Sequence, residues 1–239
     1  MNTAPTIRLH LYFAHDNARA VILRQGPKRL FRMILWDRDN DTFEDGQWLR
    51  HQVYPDRCDL SPDGQYFIYF ALDAKWDSQS KGSYTAISRP PWFTALSLYP
   101  QGDTWGGGGL FVGNELYVVH SGSLAKDIIH RADNLERVYQ IAPTREIATG
   151  IVRADGSRAP LSRDLRLRIL SGETWRSPID HYDTLGGNLY RRTGEELDLI
   201  RDFSDMSFTP LRAPYDWRGK DDEDMPDPSP WHPLDEEDR

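Results

Sequence analysis

A single cysteine, Cys58, stands among 239 residues. Intrachain disulfides are therefore excluded, and a cysteine-rich zinc site with them. No stretch approaches the roughly 18 apolar residues of a membrane-spanning helix. The start, Met1-Asn2-Thr3-Ala4-Pro5-Thr6, has no basic segment leading into an apolar one, so no signal peptide is read there. A cytoplasmic protein that leaves the membrane alone is the expectation. A basic excess is also missing. Of 37 acidic and 29 basic residues, 9 acidic and 2 basic ones lie beyond Gly219, which leaves 28 against 27 in the body. A near-neutral body lacks the electrostatic footprint of a non-specific nucleic-acid binder.

What the chain has is aromatic side chains, 8 Trp, 11 Tyr and 9 Phe, enough for a substantial core. They fall in short strand-like segments separated by turn chemistry. Ile7 to Phe13 alternates, and Ala20 to Leu23, Leu30 to Trp36, Gln47 to Leu49, Tyr84 to Ser88, Thr94 to Tyr99, Gly109 to Val112 and Leu116 to Val119 follow. Gly, Pro, Asn and Asp between such runs indicate a sandwich, barrel or propeller. Ser123 to Leu135 breaks the rhythm: Leu124, Ile128, Ala132 and Leu135 recur at helical spacing, which predicts one short helix. Beyond it Glu146 to Val152, Leu165 to Ile169, Gly187 to Arg192, Glu196 to Arg201 and Ser207 to Leu211 read as more charged outer strands. Residues 213–239 mix Pro with an acidic run and are expected to form a disordered tail, with Trp231 as its one candidate docking residue.

The sharpest signal is Leu60-Ser61-Pro62-Asp63-Gly64, which runs into Gln65-Tyr66-Phe67-Ile68-Tyr69-Phe70-Ala71. Pro62 presets φ at the first central turn position and Gly64 tolerates a positive φ. The strand that follows is apolar on both faces. An antiparallel strand with one wet face would alternate, so this one needs cover on both sides. Radially stacked sheets supply it, because each blade lies between two others.

Two fragments resemble the WD-like β-propeller repeat family. Ile34-Leu35-Trp36-Asp37 ends a strand in Trp-Asp, and Leu60 to Gly64 follows some 25 positions later as the turn into the next blade. Gly113-Asn114-Glu115-Leu116-Tyr117 and Gly187-Asn188-Leu189-Tyr190 echo each other at irregular offsets, and the family's Gly-His dipeptide is absent. The resemblance implies an all-β, propeller-like domain over residues 1–212. At roughly 40–45 residues per blade it would hold about five short antiparallel blades. A β-sandwich that uses the same turn is the alternative.

Each candidate site has a plainer role beside it. Asp37, Asp39, Asp41 and Asp45 have the spacing of a calcium loop. Thr42 replaces its glycine and Trp48 its closing glutamate, so a solvated hairpin is the better account. Gly106 to Gly109 is followed by a strand rather than a helix, which argues against a phosphate cradle and for close backbone passage. His10, His15, His51, His120, His130, His181 and His232 show no zinc-like pairing, and Asp180 to Asp183 is read as a surface turn. Cys58 is expected to pack as a small hydrophobe. Ser88-Arg89-Pro90-Pro91-Trp92-Phe93 is the most unusual segment: two prolines stiffen a guanidinium and two aromatics. Arg89, Trp92 and Trp105 are therefore the candidate binding residues, since Trp and Arg supply contact energy at low entropic cost. The plainer role is a stiff connection whose aromatics fill the core.

These observations favour a small intracellular interaction module, a scaffold, inhibitor or immunity-type partner that binds another protein without metal or cofactor. Two alternatives remain open. One is a propeller hydrolase or lyase with His10, His120, His181 or Asp183 gathered at the central opening; the other is a carbohydrate-binding module that stacks sugars on Trp92 and Trp105.

Overall fold

A computed structural model of the chain describes residues 7–111, 113–120, 129–130, 132–137, 151–152, 158–159 and 178–216. Strands dominate throughout. In chain order they are β1 (Arg8–Phe13), β2 (Arg19–Gln25), β3 (Phe31–Asp37), β4 (Thr42–Leu49), β5 (Gln52–Val53), β6 (Asp59–Leu60), β7 (Phe67–Leu72), β8 (Ser83–Ser88) and β9 (Ser97–Pro100). There follow β10 (Gly109–Phe111), β11 (Leu116–Val119), β12 (Ile129–His130), β13 (Glu136–Arg137), β14 (Ile151–Val152), β15 (Arg158–Ala159), β16 (Tyr182–Leu185), β17 (Asn188–Thr193) and β18 (Glu196–Asp202). Short 3-10 turns occupy Pro27–Arg29, Pro55–Arg57 and Pro178–His181.

The described strands form five open sheets. The first is the meander β1-β2-β3-β4; the second runs β12-β9-β8-β7, with β5 and β6 both on the far edge of β7. The third is β10-β11-β13, the fourth pairs β14 with β15, and the fifth is β16-β17-β18. All pairings are antiparallel except β11 with β13. The protein is all-β, as the strand periodicity indicated.

Local chemistry explains why the chain turns where it does. At the end of β3, Asp37 accepts a hydrogen bond from the Asp39 backbone N–H at 3.0 Å, and Asp41 takes a positive φ of 51°. Trp36 is fully buried, stacks on Phe43 with centroids 5.9 Å apart and donates its indole N–H to Asp41. In the Ser-Pro-Asp-Gly turn, Ser61 Oγ accepts the Tyr66 N–H at 2.9 Å, and Gly64 has φ 74°. The turn is also held from both sides. Pro62 O accepts the His15 and Asp16 N–H groups of the β1–β2 loop, and Asn114 of the β10–β11 loop accepts the Asp63 N–H.

Both faces of the first two sheets are covered. Val21, Leu23, Phe31 and Met33 meet Phe67, Tyr69, Ala71 and Ala86 in one core between the first and second sheets. The opposite face of the second sheet, with Tyr66, Ile68, Ile87 and Tyr99, packs on Phe111, Tyr117 and Val119 of the third. The opposite face of the first, with Leu9, Phe13, Ile22, Ile34 and Trp36, packs on Leu189 and Phe203 around the fifth. The layers therefore run fifth, first, second, third. Each fully buried aliphatic or aromatic side chain contributes about 1.5–3 kcal/mol, and β7 draws on two cores at once.

Polar links reinforce the junction of the first and fifth sheets. Arg24 Nε donates to Phe203 O at 2.7 Å, Arg201 bonds Asp45 at 2.6 Å, and Arg191 reaches both Asp41 oxygens at 3.0 and 3.1 Å. The fifth sheet is an outer one: Leu185, Leu197 and Leu199 point away from the core and are exposed.

Two segments correct the sequence reading. The short helix near 123–135 does not form where the chain is described, because Ile129–His130 pairs with β9 and a turn follows. Ala132 and Leu135 do share the second core, brought together by a Leu135 N–H to Ala132 O bond of 2.8 Å. A tight turn has reproduced the spacing of a helical face; residues 121–128 lie outside the described set. Ser207 to Leu211 is not a strand either. Its Leu211 O accepts from the Gln47 side chain and Phe208 lies against Trp48, so side chains rather than a ladder hold it. Leu165 to Ile169, most of Glu146 to Val152, and the acidic stretch from 217 on lie outside the described residues.

Candidate functional site

The loops at one end of β8 hold the most distinctive surface. On one side the β7–β8 loop closes on itself. Asp73 and Ala74 donate backbone N–H groups to Gly82 O, Asp73 accepts from Lys75 N and Ser80 Oγ, and Ser78 bonds Lys75 O. Trp76 lies across this loop. A Cβ built on Gly82 would sit against the contiguous Cε3, Cδ2 and Cζ3 atoms, so the indole packs directly upon the glycine. Its exposure is 50 %.

On the other side is the β9–β10 loop, which carries Trp105. Asp103 Oδ1 accepts the Trp105 and Gly106 N–H groups at 2.9 and 3.0 Å. Arg57 donates to Thr104 O at 2.9 Å and to Gly106 O. Gly107 N–H reaches His120 O at 2.6 Å and Gly108 N–H reaches Thr85 Oγ1 at 2.8 Å. Glycine is required at Gly107 and Gly108: both have positive φ, and a Cβ would overlap the Phe70 ring or the Arg57 backbone. Gly107, Gly108 and Gly109 thus let the chain pass close to bulky groups, and Trp105 is left 93 % exposed on a fixed backbone.

The two loops are neighbours. Ser83 O accepts Gln101 N–H at 2.8 Å and Ser83 Oγ donates to Asp103 O, while Trp76 covers the preceding Gly82. Behind them the half-buried His51 has its Nδ1 2.7 Å from the Tyr84 hydroxyl. Burial holds the His51 imidazole below its ordinary pKa and pushes the Tyr84 phenol up.

Arg89 and Trp92 are not on this surface. They follow Ser88, at the other end of β8 and about 17 Å away at roughly 3.4 Å per residue. Arg89 is 6 % exposed, with its guanidinium 5.5 Å from the Tyr66 ring centroid. Trp92 is half-buried against the second core. The Gln47 side chain accepts the Phe93 and Thr94 N–H groups at 2.7 and 2.9 Å, which straps the segment to β4. The Pro90–Pro91 peptide is cis. The expected face of Arg89, Trp92 and Trp105 is therefore not assembled. Of the three, Trp105 alone is largely exposed, and Trp76 on the neighbouring loop is a further exposed indole that sequence reasoning missed. Its signal was present: a lone indole inside the polar run Lys75 to Ser83.

The other candidates are placed as follows. Asp37 caps its own turn, Asp41 bonds Trp36 and Arg191, and Asp45 bonds Arg201. Among the described residues no group of three or more His, Cys, Asp or Glu could hold a metal ion. His10 bonds Gln25 at 3.0 Å, His181 ends a 3-10 turn, and Asp183 is paired with Arg192. Cys58 is buried and its Sγ donates to Tyr54 O at 3.2 Å. Burial pushes this thiol up to about 12. No described helix is long and apolar enough to cross a membrane.

No family model, curated protein or solved structure matches this chain.

Proposed function

We propose that the protein is a small interaction module, a scaffold or inhibitor that holds a partner protein against the loop end marked by Trp105. One observation carries this reading: an indole 93 % exposed on a backbone fixed by Asp103, Arg57, His120 and Thr85. Burying such a ring releases the hydrophobic gain of a large side chain, and a fixed backbone removes most of the ordering cost of binding. The proposal includes a radial, WD-like arrangement of the sheets, in which the loops at one end form a rim. Its support is the cover on both faces of the first and second sheets.

The test is affinity capture from the native host with the full chain and its Trp105→Ala variant, read by mass spectrometry. A partner enriched by the parent and lost by the variant is expected. Identical captured sets would end the reading.

A further inference from the structure

Going beyond that reading, we propose that the β2–β3 end of the first sheet is a basic docking surface whose occupant is the acidic segment 221–238 of this same chain. Sheet register gathers the cations there. Arg24 of β2 faces Arg32 of β3, which faces Trp48 of β4. Gln25, Phe31 and Leu49 form the last row, so Lys28 and Arg29 in the β2–β3 loop and Arg50 after β4 crown the same end. All three crowning cations are exposed, and none forms an ion pair with another described residue. The loop is fixed: Gly26 N–H to Leu30 O and Leu30 N–H to Pro27 O close it at 2.7 and 3.2 Å, with Lys28 and Arg29 both at positive φ.

Nearby carboxylates offset only part of this charge. Asp45 lies 3.8 Å from Arg32 but already bonds Arg201, and Asp202 accepts the Ser204 N–H. Burial, and then the Arg32 charge, holds the Arg24 guanidinium below its ordinary pKa, which an added carboxylate would relieve. The counter-charge of this chain is concentrated in one place, nine acidic against two basic residues beyond Gly219. The backbone already leads there. Phe208 lies against Trp48 with the Arg50 guanidinium 3.9 Å from its ring centre, and Leu211 O accepts from Gln47 of β4. Asp221 is ten residues further on, a reach of up to about 35 Å. Attachment gives the segment a local concentration on the order of millimolar, which a free anionic partner must exceed.

A nitroxide on Ser229→Cys in the full chain tests this by NMR, since the buried Cys58 stays unlabelled. Amide signals of Gly26 to Leu30 and of Arg50 should be quenched at about 50 mM salt and restored at about 500 mM, where the Debye length is much shorter. Signals of Asp39 and Asn40, about 20 Å away at the other end of β3, should keep their intensity. Replacing Lys28, Arg29 and Arg50 together by Gln should abolish the quenching, and an unchanged urea midpoint certifies folding. Trp105→Ala should leave the quenching as it is, which separates this proposal from the module reading. Quenching that is absent, or indifferent to salt and to the three Gln substitutions, overturns the proposal. So does quenching that passes from nitroxide-bearing chains to isotope-labelled chains without nitroxide in a mixture, which would make a second copy the occupant. If the end is unquenched and its signals shift on adding a poly-uridine RNA, the occupant is an external polyanion and the proposal fails.

Discussion

Replacing Gly107 by alanine is expected to destabilise the protein by about 2–5 kcal/mol, for two separable reasons. Gly107 has φ 93°, and an L-residue forced to positive φ costs roughly 1–2 kcal/mol. The added methyl would also enter the Phe70 ring. Phe70 is fully buried, with Tyr54 5.1 Å away on centroids and the Arg57 guanidinium 5.2 Å from its ring centre. A ring clamped on three sides yields only by repacking, at a typical overpacking penalty of about 1–3 kcal/mol. Gly194→Ala supplies the internal control: its φ is 67° and a Cβ there meets nothing within 4 Å. That variant should lose only about 1 kcal/mol. Urea denaturation of both, with the slope m unchanged, measures the difference. Equal losses would refute the close-approach account of the four-glycine run. A larger loss at Gly107 with unchanged Trp105 emission would locate the strain at Phe70.

Two further outcomes are expected. Cys58 should resist thiol reagents at pH 8 and react stoichiometrically once urea unfolds the chain. A buried acid pushed from about 9 to about 12 is stabilising only while protonated, so its contribution is full below pH 9 and lost as pH rises from 9 towards 12. Prompt native labelling would contradict this. Asp45→Ala should cost about 1–3 kcal/mol, since Arg201 loses its 2.6 Å partner and the largely buried Arg32 loses a nearby carboxylate at 3.8 Å; a loss within the noise of the melt would show that solvent replaces both.

The parts of the fold that were legible in the sequence are those whose cause is local. Gln65 to Ala71 declared its double burial because no polar residue interrupts Tyr66 to Ala71, and the Trp36-Asp37 turn was readable from its own aspartates. Gly106 to Gly109 announced a close approach, since only glycine permits one, yet nothing nearby in sequence named Phe70 or Arg57. Ala132 and Leu135 misled because a turn and a helix both bring residues three apart to the same side. Ser207 to Leu211 alternates like a strand, but its backbone partner is the side chain of Gln47, 164 residues earlier. The candidate site failed on the same point. A stiff Arg-Pro-Pro-Trp segment serves equally as a surface or as a core connection, and Gln47 decides which. The loops that carry Trp76 and Trp105 meet at Ser83, which no spacing reveals.

Beneath the functional proposal lies a physical claim: the second sheet is sealed on both sides by other sheets. Phe67→Ala and Ile68→Ala test it directly, because adjacent residues of one strand face opposite cores. Urea unfolding should show losses of about 3–5 kcal/mol for the first and about 2–5 kcal/mol for the second. A loss at either position no larger than the ~0.5 kcal/mol of a surface change would mean that face is wet, and the layered account would be wrong.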